Sequence, residues 1–204
     1  MRAKYLIFGV GVLLGIGVML AGWRFFPGSY TYRGSLIDPP IQAVDFELTD
    51  QLERPFRLSD QLGKIVLVFF GYTHCPDVCP LTLSEFKQIK ANLGEQASEV
   101  KFVFITVDPE RDTTAALREY LSNFDPDFIG LTGDRGTLDG VWKAYGVYQA
   151  KQEVGSAAGY LVDHTARTYL IDRQGNLRLT YPFEMGKDDI LADVRHLLKS
   201  GQLK

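Results

Sequence analysis

Histidine and cysteine are scarce in this chain: three of the first and two of the second in 204 residues. With Cys75 and Cys79 only four positions apart, all thiol chemistry is confined to one place. An imidazole-based site has only His74, His164 and His196 to draw on. Acidic residues are absent before Asp38. Set Arg2, Lys4, Arg24 and Arg33 apart, and 18 of the 22 basic residues remain against all 25 acidic ones. That balance excludes the basic face a nucleic-acid partner requires. Internal repeats and low-complexity tracts are also missing, so the length reads as one domain of ordinary size with an appendage.

The appendage is N-terminal. Tyr5 to Trp23 runs 19 residues without a charge. As a helix it would span about 28 Å, close to the hydrocarbon core of a bilayer. Arg2 and Lys4 precede it and favour a cytoplasmic N-terminus, a contrast that Arg24 on the far side weakens. Trp23, Phe25 and Phe26 suit the outer interface. The alternative is a cleaved signal peptide, but the apolar run is long for one and no A-x-A-like site stands near Ala21-Gly22. Gly11 and Gly15 form a G-x-x-x-G, a weak signal for helix pairing. The expected organisation is a cytoplasmic tip at 1–4, an anchor at 5–23, a Pro/Gly-rich linker at 24–40, and a domain at 41–204 on the exported side, periplasmic or equivalent. Thiols in such a compartment oxidise unless a dedicated reductant acts on them.

The two cysteines lie in Lys64-Ile-Val-Leu-Val-Phe-Phe-Gly-Tyr-Thr-His-Cys-Pro-Asp-Val-Cys-Pro-Leu81. Ile65 to Phe70 is an unbroken apolar, β-branched and aromatic run, the pattern of a strand buried on both faces. Gly71 and Pro76 break it. From Pro80 the pattern turns helical, with Leu81, Phe86, Ile89 and Leu93 expected inward. The thiols therefore sit where a buried strand becomes a helix, whose N-terminus favours a thiolate. If that first turn is helical, residues i and i+4 share a face and the sulfurs converge. Converged, they could form a disulfide or clamp a soft ion such as Cu(I). A purely structural disulfide is the blander alternative.

Elsewhere strands alternate with helices. Val44–Leu48 and Phe56–Leu58 suit a hairpin, and Val100–Val107 a second buried strand ending at Asp108-Pro109. A helix capped by Asp112, Thr113 or Thr114 runs to about Phe124. Phe128–Leu131 reads as a short strand, Thr137–Tyr145 as a helix and Gln149–Gly159 as a flexible loop. Leu161–His164, Thr168–Ile171 and Leu177–Tyr181 follow as strands, the last two joined by a turn, before a helix over Lys187–Lys199. The order predicts an α/β layered domain with a mixed sheet, a thioredoxin-like arrangement with the cysteines at the carboxyl end of a central strand. Of the histidines, His74 adjoins Cys75 but its backbone points it away, and His196 suits a solvated helix face. His164, after a loop, is the best placed third ligand on spacing, against an ordinary role in capping that loop.

Phe70-Gly-Tyr-Thr-His-Cys-Pro-Asp-Val-Cys-Pro80 closely resembles the signature of the Sco/SenC family. Arg33–Pro40, Thr106–Asp112 and Val162–Thr165 agree with it in order, and Thr114 departs from it where proline is expected. The resemblance implies a membrane-anchored, thioredoxin-fold copper protein that assists maturation of the binuclear copper centre of cytochrome c oxidase. It implies Cys75, Cys79 and His164 as ligands of one copper, Cu(I) or Cu(II), with Asp108 and Asp163 in support. The implied partners are the copper-bearing oxidase subunit, an upstream copper donor and a thiol reductant. The same pair could instead cycle between dithiol and disulfide, as a thiol-disulfide oxidoreductase that keeps the acceptor's cysteines reduced. A peroxiredoxin-type peroxidase fits less well, because Thr73 stands two residues before Cys75 rather than three.

Overall fold

The computed structural model describes residues 30–153 and 159–200. The expected anchor at 5–23 lies outside them, and no helix among the described residues is long and apolar enough to cross a membrane. The compact unit that holds the strands and helices begins at Tyr32.

Ten strands and four α-helices occur in the described residues. β1 (Ser35–Gln42), β2 (Glu47–Asp50) and β3 (Pro55–Arg57) precede the central β4 (Ile65–Gly71). Then come α1 (Val78–Leu93), β5 (Val100–Thr106), α2 (Thr114–Ser122), β6 (Ile129–Thr132) and α3 (Arg135–Ala144). β7 (Gln149–Glu153), β8 (Tyr160–His164), β9 (Arg167–Ile171), β10 (Asn176–Pro182) and α4 (Lys187–Ser200) complete the order. Eight strands form one mixed sheet, β1-β10-β9-β4-β5-β6-β2-β3. β4 runs parallel to β5 and antiparallel to β9. All seven residues of β4 are buried, as its unbroken apolar run requires of a strand covered on both faces. This is a thioredoxin-like α/β fold, with the cysteine turn at the carboxyl end of its central strand.

Three local expectations change. The linker expected over 24–40 contains most of β1, which pairs antiparallel with β10. Pro39 and Pro40 are tolerated because β1 is an edge strand. The loop expected at Gln149–Gly159 contains β7, which pairs with β8 in a separate two-stranded ribbon. Its side chains are mostly solvated, so no apolar alternation announces it. Leu81, expected inward, is 49% exposed. α1 begins at Val78, and its buried stripe is Cys79, Thr82, Leu83, Phe86, Ile89 and Leu93. Leu81 and Phe86 are five positions apart, which is not a helical repeat.

The β2–β3 hairpin, the β9–β10 hairpin and the closing helix stand as expected, with Leu48 opposite Phe56 and Thr180 opposite Tyr169.

Candidate metal centre

β4 ends in Gly71, and the chain turns through Tyr72 to Asp77 into α1. Gly71 is required by crowding. A Cβ there would lie 2.8 Å from Cys79 Sγ, 2.8 Å from the Phe104 ring and 2.9 Å from the Phe69 ring. The absent side chain lets the first turn of α1 pack directly on the sheet, with Cys79 fully buried.

Asp112 holds the turn from the other side. Its buried carboxylate accepts from the Thr73 amide at 3.1 Å, the Thr73 hydroxyl at 2.6 Å and the Thr106 hydroxyl at 2.7 Å. Burial nonetheless raises the Asp112 pKa above the ordinary carboxylate value, with those hydrogen bonds opposing the rise. Of the three candidate caps for α2, Thr113 takes the role by accepting from the Ala116 amide at 3.2 Å. Asp112 faces inward to the cysteine turn instead.

The sulfurs converge by a route other than a shared helical face. Cys75 precedes the helix, and Asp77 at its N-cap makes no side-chain cap bond. The Cys75 sulfur accepts from the Cys79 amide at 3.4 Å, so a thiolate occupies a capping position. Cys75 is half-buried and Cys79 is buried, and both are free thiols. A hydrogen bond from the Cys79 thiol is the main cause lowering the Cys75 pKa to about 4; His164 and the backbone amides of Asp77 and Cys79 add to it, against desolvation. Burial pushes Cys79 the opposite way, far above the ordinary thiol value, and the neighbouring Cys75 reinforces this. The pair is thus one thiolate and one thiol sharing a proton.

His164 ends β8 and reaches over this pair. Its Nε2 is 3.7 Å from Cys79 Sγ. Its Nδ1 is 3.2 Å from the Thr165 carbonyl oxygen. A carbonyl can only accept, so Nδ1 donates to it and Nε2 is the nitrogen that faces the sulfurs. The Phe69 and Tyr72 rings meet the imidazole edge-on, at centroid distances of 6.1 and 5.8 Å. One ligand atom each from Cys75, Cys79 and His164 falls within 4.8 Å of the others. Among the described residues this is the only such group of three.

The remaining candidates lie apart. His74 is exposed, its Nδ1 2.9 Å from the Thr73 hydroxyl. His196 packs against the Tyr32 ring at 5.6 Å and belongs to a different surface. Asp163 is exposed, on the strand face opposite His164. Asp108 is fully buried and bonds to Arg111 and Tyr160 rather than to the sulfurs. The sequence marks Gly71 only as a break in the apolar run, and Tyr72, Arg111 and Tyr160 carry no sequence signal for a role at the site. The three-residue spacing of Asp108 and Arg111 was the one legible hint, for an ion pair in a turn.

The fold and site define a class: a thioredoxin-like domain whose strand-to-helix turn presents a dithiol to an imidazole carried on a separate ribbon. Soft sulfur with one imidazole suits copper. The chain belongs to the SCO1/SenC family, whose model matches residues 36–199. It is similar to the SCO2-like protein of Rickettsia felis, 41% identical over 152 residues, 74% of each chain. It is also similar to the mitochondrial SCO1 homolog of Mus musculus, 33% identical over 210 residues, covering 100% of this chain and 72% of that protein. Among solved structures, Bradyrhizobium japonicum ScoI with copper bound is 40% identical with a TM-score of 0.70, over 77% of this chain and 99% of that one.

Proposed function

We propose that this chain is a membrane-anchored copper-binding assembly factor that assists maturation of the binuclear copper centre of cytochrome c oxidase. Cys75, Cys79 and His164 are the ligands of one copper ion. The observation that carries this reading is the convergence of two sulfurs and one imidazole nitrogen within 4.8 Å of one another. The copper-bound state of the ScoI relative supports it. So does the donor set, since thiolates favour Cu(I) and an imidazole extends the range to Cu(II).

Copper is cargo here, and each residue has a part in holding and releasing it. Cys75 offers a ready thiolate at a half-exposed position, so it is the point of entry. Cys79 gives up its proton on binding and supplies the buried sulfur. His164, held in one tautomer by the Thr165 carbonyl, closes the third side. Release proceeds by ligand exchange, with an acceptor's ligands replacing the two half-exposed groups first and Cys79 last. Residues 5–23 anchor the chain, with residues 1–4 cytoplasmic, a linker from 24, and the folded domain on the exported side. The copper-bearing oxidase subunit is the acceptor, fed by an upstream copper donor.

The test is to reduce the full chain in detergent, load it with copper without oxygen, and count retained metal. One copper per chain is expected. Cys75→Ser or Cys79→Ser should abolish retention, and His164→Ala should weaken it strongly. Full retention in all three variants would remove this site from copper binding.

The half-exposed, low-pKa Cys75 beside a protonated Cys79 favours a second reading, thiol-disulfide exchange with the acceptor's cysteines. His164 discriminates: oxidase maturation that persists in a His164→Ala strain would support exchange over copper holding.

A further inference from the structure

The imidazole ligand sits on a ribbon that places a single buried side chain, Val162 of β8, in the core. β7 and β8 pair with each other and with no strand of the eight-stranded sheet among the described residues. A two-stranded ribbon is marginal in isolation. At its His164 end the ribbon joins the core directly: Val147, just before β7, is buried, and the strand pairing continues one step further, with the Tyr148 amide donating to the Thr165 hydroxyl at 2.9 Å and the Thr165 amide to the Tyr148 carbonyl at 3.1 Å. What fixes the other end of β8 is a cluster around Tyr160.

Asp108 follows β5 and is fully buried. One carboxylate oxygen accepts from the Tyr160 hydroxyl at 2.7 Å, and the other accepts from Arg111 Nε. The Arg111 guanidinium also donates through Nη1 to the Tyr160 carbonyl at 3.0 Å, and lies 3.7 Å from the Tyr160 ring centroid. Lys151 of β7 adds a second cation, its Nζ 4.6 Å from the same ring. Arg111 therefore grips both the main chain and the side chain of one residue, while a buried carboxylate fixes the grip. Tyr160 and His164 are four residues apart on one strand, so their side chains point to the same face. A strand pinned at both ends delivers His164 at a fixed distance.

We infer that Asp108, Arg111 and Tyr160 form a latch that positions the His164-bearing strand over the dithiol. The three are positioning residues, and none touches the sulfurs or the imidazole directly. The inference rests on the reading of His164 as a ligand. Groups that bond a ligating histidine directly contribute roughly 10–100-fold to metal affinity, and residues that act one step behind it are expected at the lower end of that range. Tyr160→Phe, which removes one oxygen atom, is the mildest probe. Arg111→Lys keeps the charge but loses the planar fork that spans a carboxylate and a carbonyl.

The experiment uses the full reduced chain and Cu(II) against a competing chelator. Tyr160→Phe and Arg111→Lys should each weaken Cu(II) binding by roughly 10-fold and diminish the imidazole nitrogen coupling in the electron paramagnetic resonance spectrum. In a His164→Ala background, Tyr160→Phe should cause no further loss, because the latch acts through His164. Equal losses in both backgrounds, or none in the parent, would overturn the latch. If the parent chain holds no copper, the copper-binding reading fails and the metal-free protein decides the latch. There, amide hydrogen exchange at 160–165 should quicken in Tyr160→Phe while exchange at 65–71 stays as in the parent. Unchanged exchange at 160–165, or a rise throughout the chain, would overturn it independently of copper.

Discussion

Replacing Gly71 with alanine tests how closely the dithiol is set on the sheet. The added Cβ would lie 2.8 Å from Cys79 Sγ, 2.8 Å from the Phe104 ring and 2.9 Å from the Phe69 ring. Ordinary non-bonded contact between heavy atoms is about 3.5–4.0 Å. Three buried groups must therefore retreat by roughly 0.6–1.2 Å, and none is the free end of a flexible chain. Overpacking of this kind costs about 1–3 kcal/mol. The same shift exceeds the roughly 0.5 Å within which a functional constellation tolerates misplacement, and it falls on a sulfur of the proposed copper site. The assay is paired. Denaturant unfolding of the reduced, copper-free chain should show a lower midpoint at constant slope, and competitive titration should show weaker copper binding. A variant with the parental midpoint and the parental copper affinity would refute the packing argument, since no slack of that size exists around Cys79.

Two further outcomes follow from the electrostatics of the turn. With its pKa held near 4, Cys75 is a thiolate through the neutral range, so alkylation of the reduced chain at Cys75 should vary little between pH 6 and 8. An ordinary thiol would quicken about tenfold per pH unit there, and such a slope measured at Cys75 would contradict the assignment. The sign for stability is that of a depressed acid: the contribution of Cys75 is present above the ordinary thiol pKa and is lost as pH falls towards 4. Asp112→Ala should lower the unfolding free energy by about 3 kcal/mol, because it strands the buried Thr106 hydroxyl and the donors of Thr73. Calorimetry of the reduced chain measures this, and a loss under about 0.5 kcal/mol, the range of ordinary surface changes, would show that water replaces the carboxylate.

The parts of this protein legible in its sequence are those with a physical period or a sharp punctuation. β4 declares itself because a strand covered on both faces must be apolar at every position. The cysteine turn declares itself because Gly71 and Pro76 stop that run just before a helical repeat begins. The polar ribbon strand β7 does not, since Gln149–Glu153 faces water along most of its length and carries no alternation. β1 is hidden by its prolines, which an edge strand tolerates and a central one does not. At the site, the structure brings together the three candidates the sequence offers, Cys75, Cys79 and His164, but the manner of their meeting is not legible in it. Cys75 converges on Cys79 by capping α1 from outside the helix, a backbone geometry that residue spacing does not encode. The latch around Tyr160 was hidden for a similar reason: it joins residues about fifty positions apart through a buried carboxylate.

In the proposed function, two sulfurs and one imidazole of this chain hold a single copper. X-ray absorption at the copper edge of the reduced, Cu(I)-loaded full chain addresses this most directly, because it counts donors by element. Two sulfur scatterers and one nitrogen with the outer-shell pattern of an imidazole are expected, the nitrogen disappearing in His164→Ala. A first shell without sulfur, or one unchanged by His164→Ala, would contradict it.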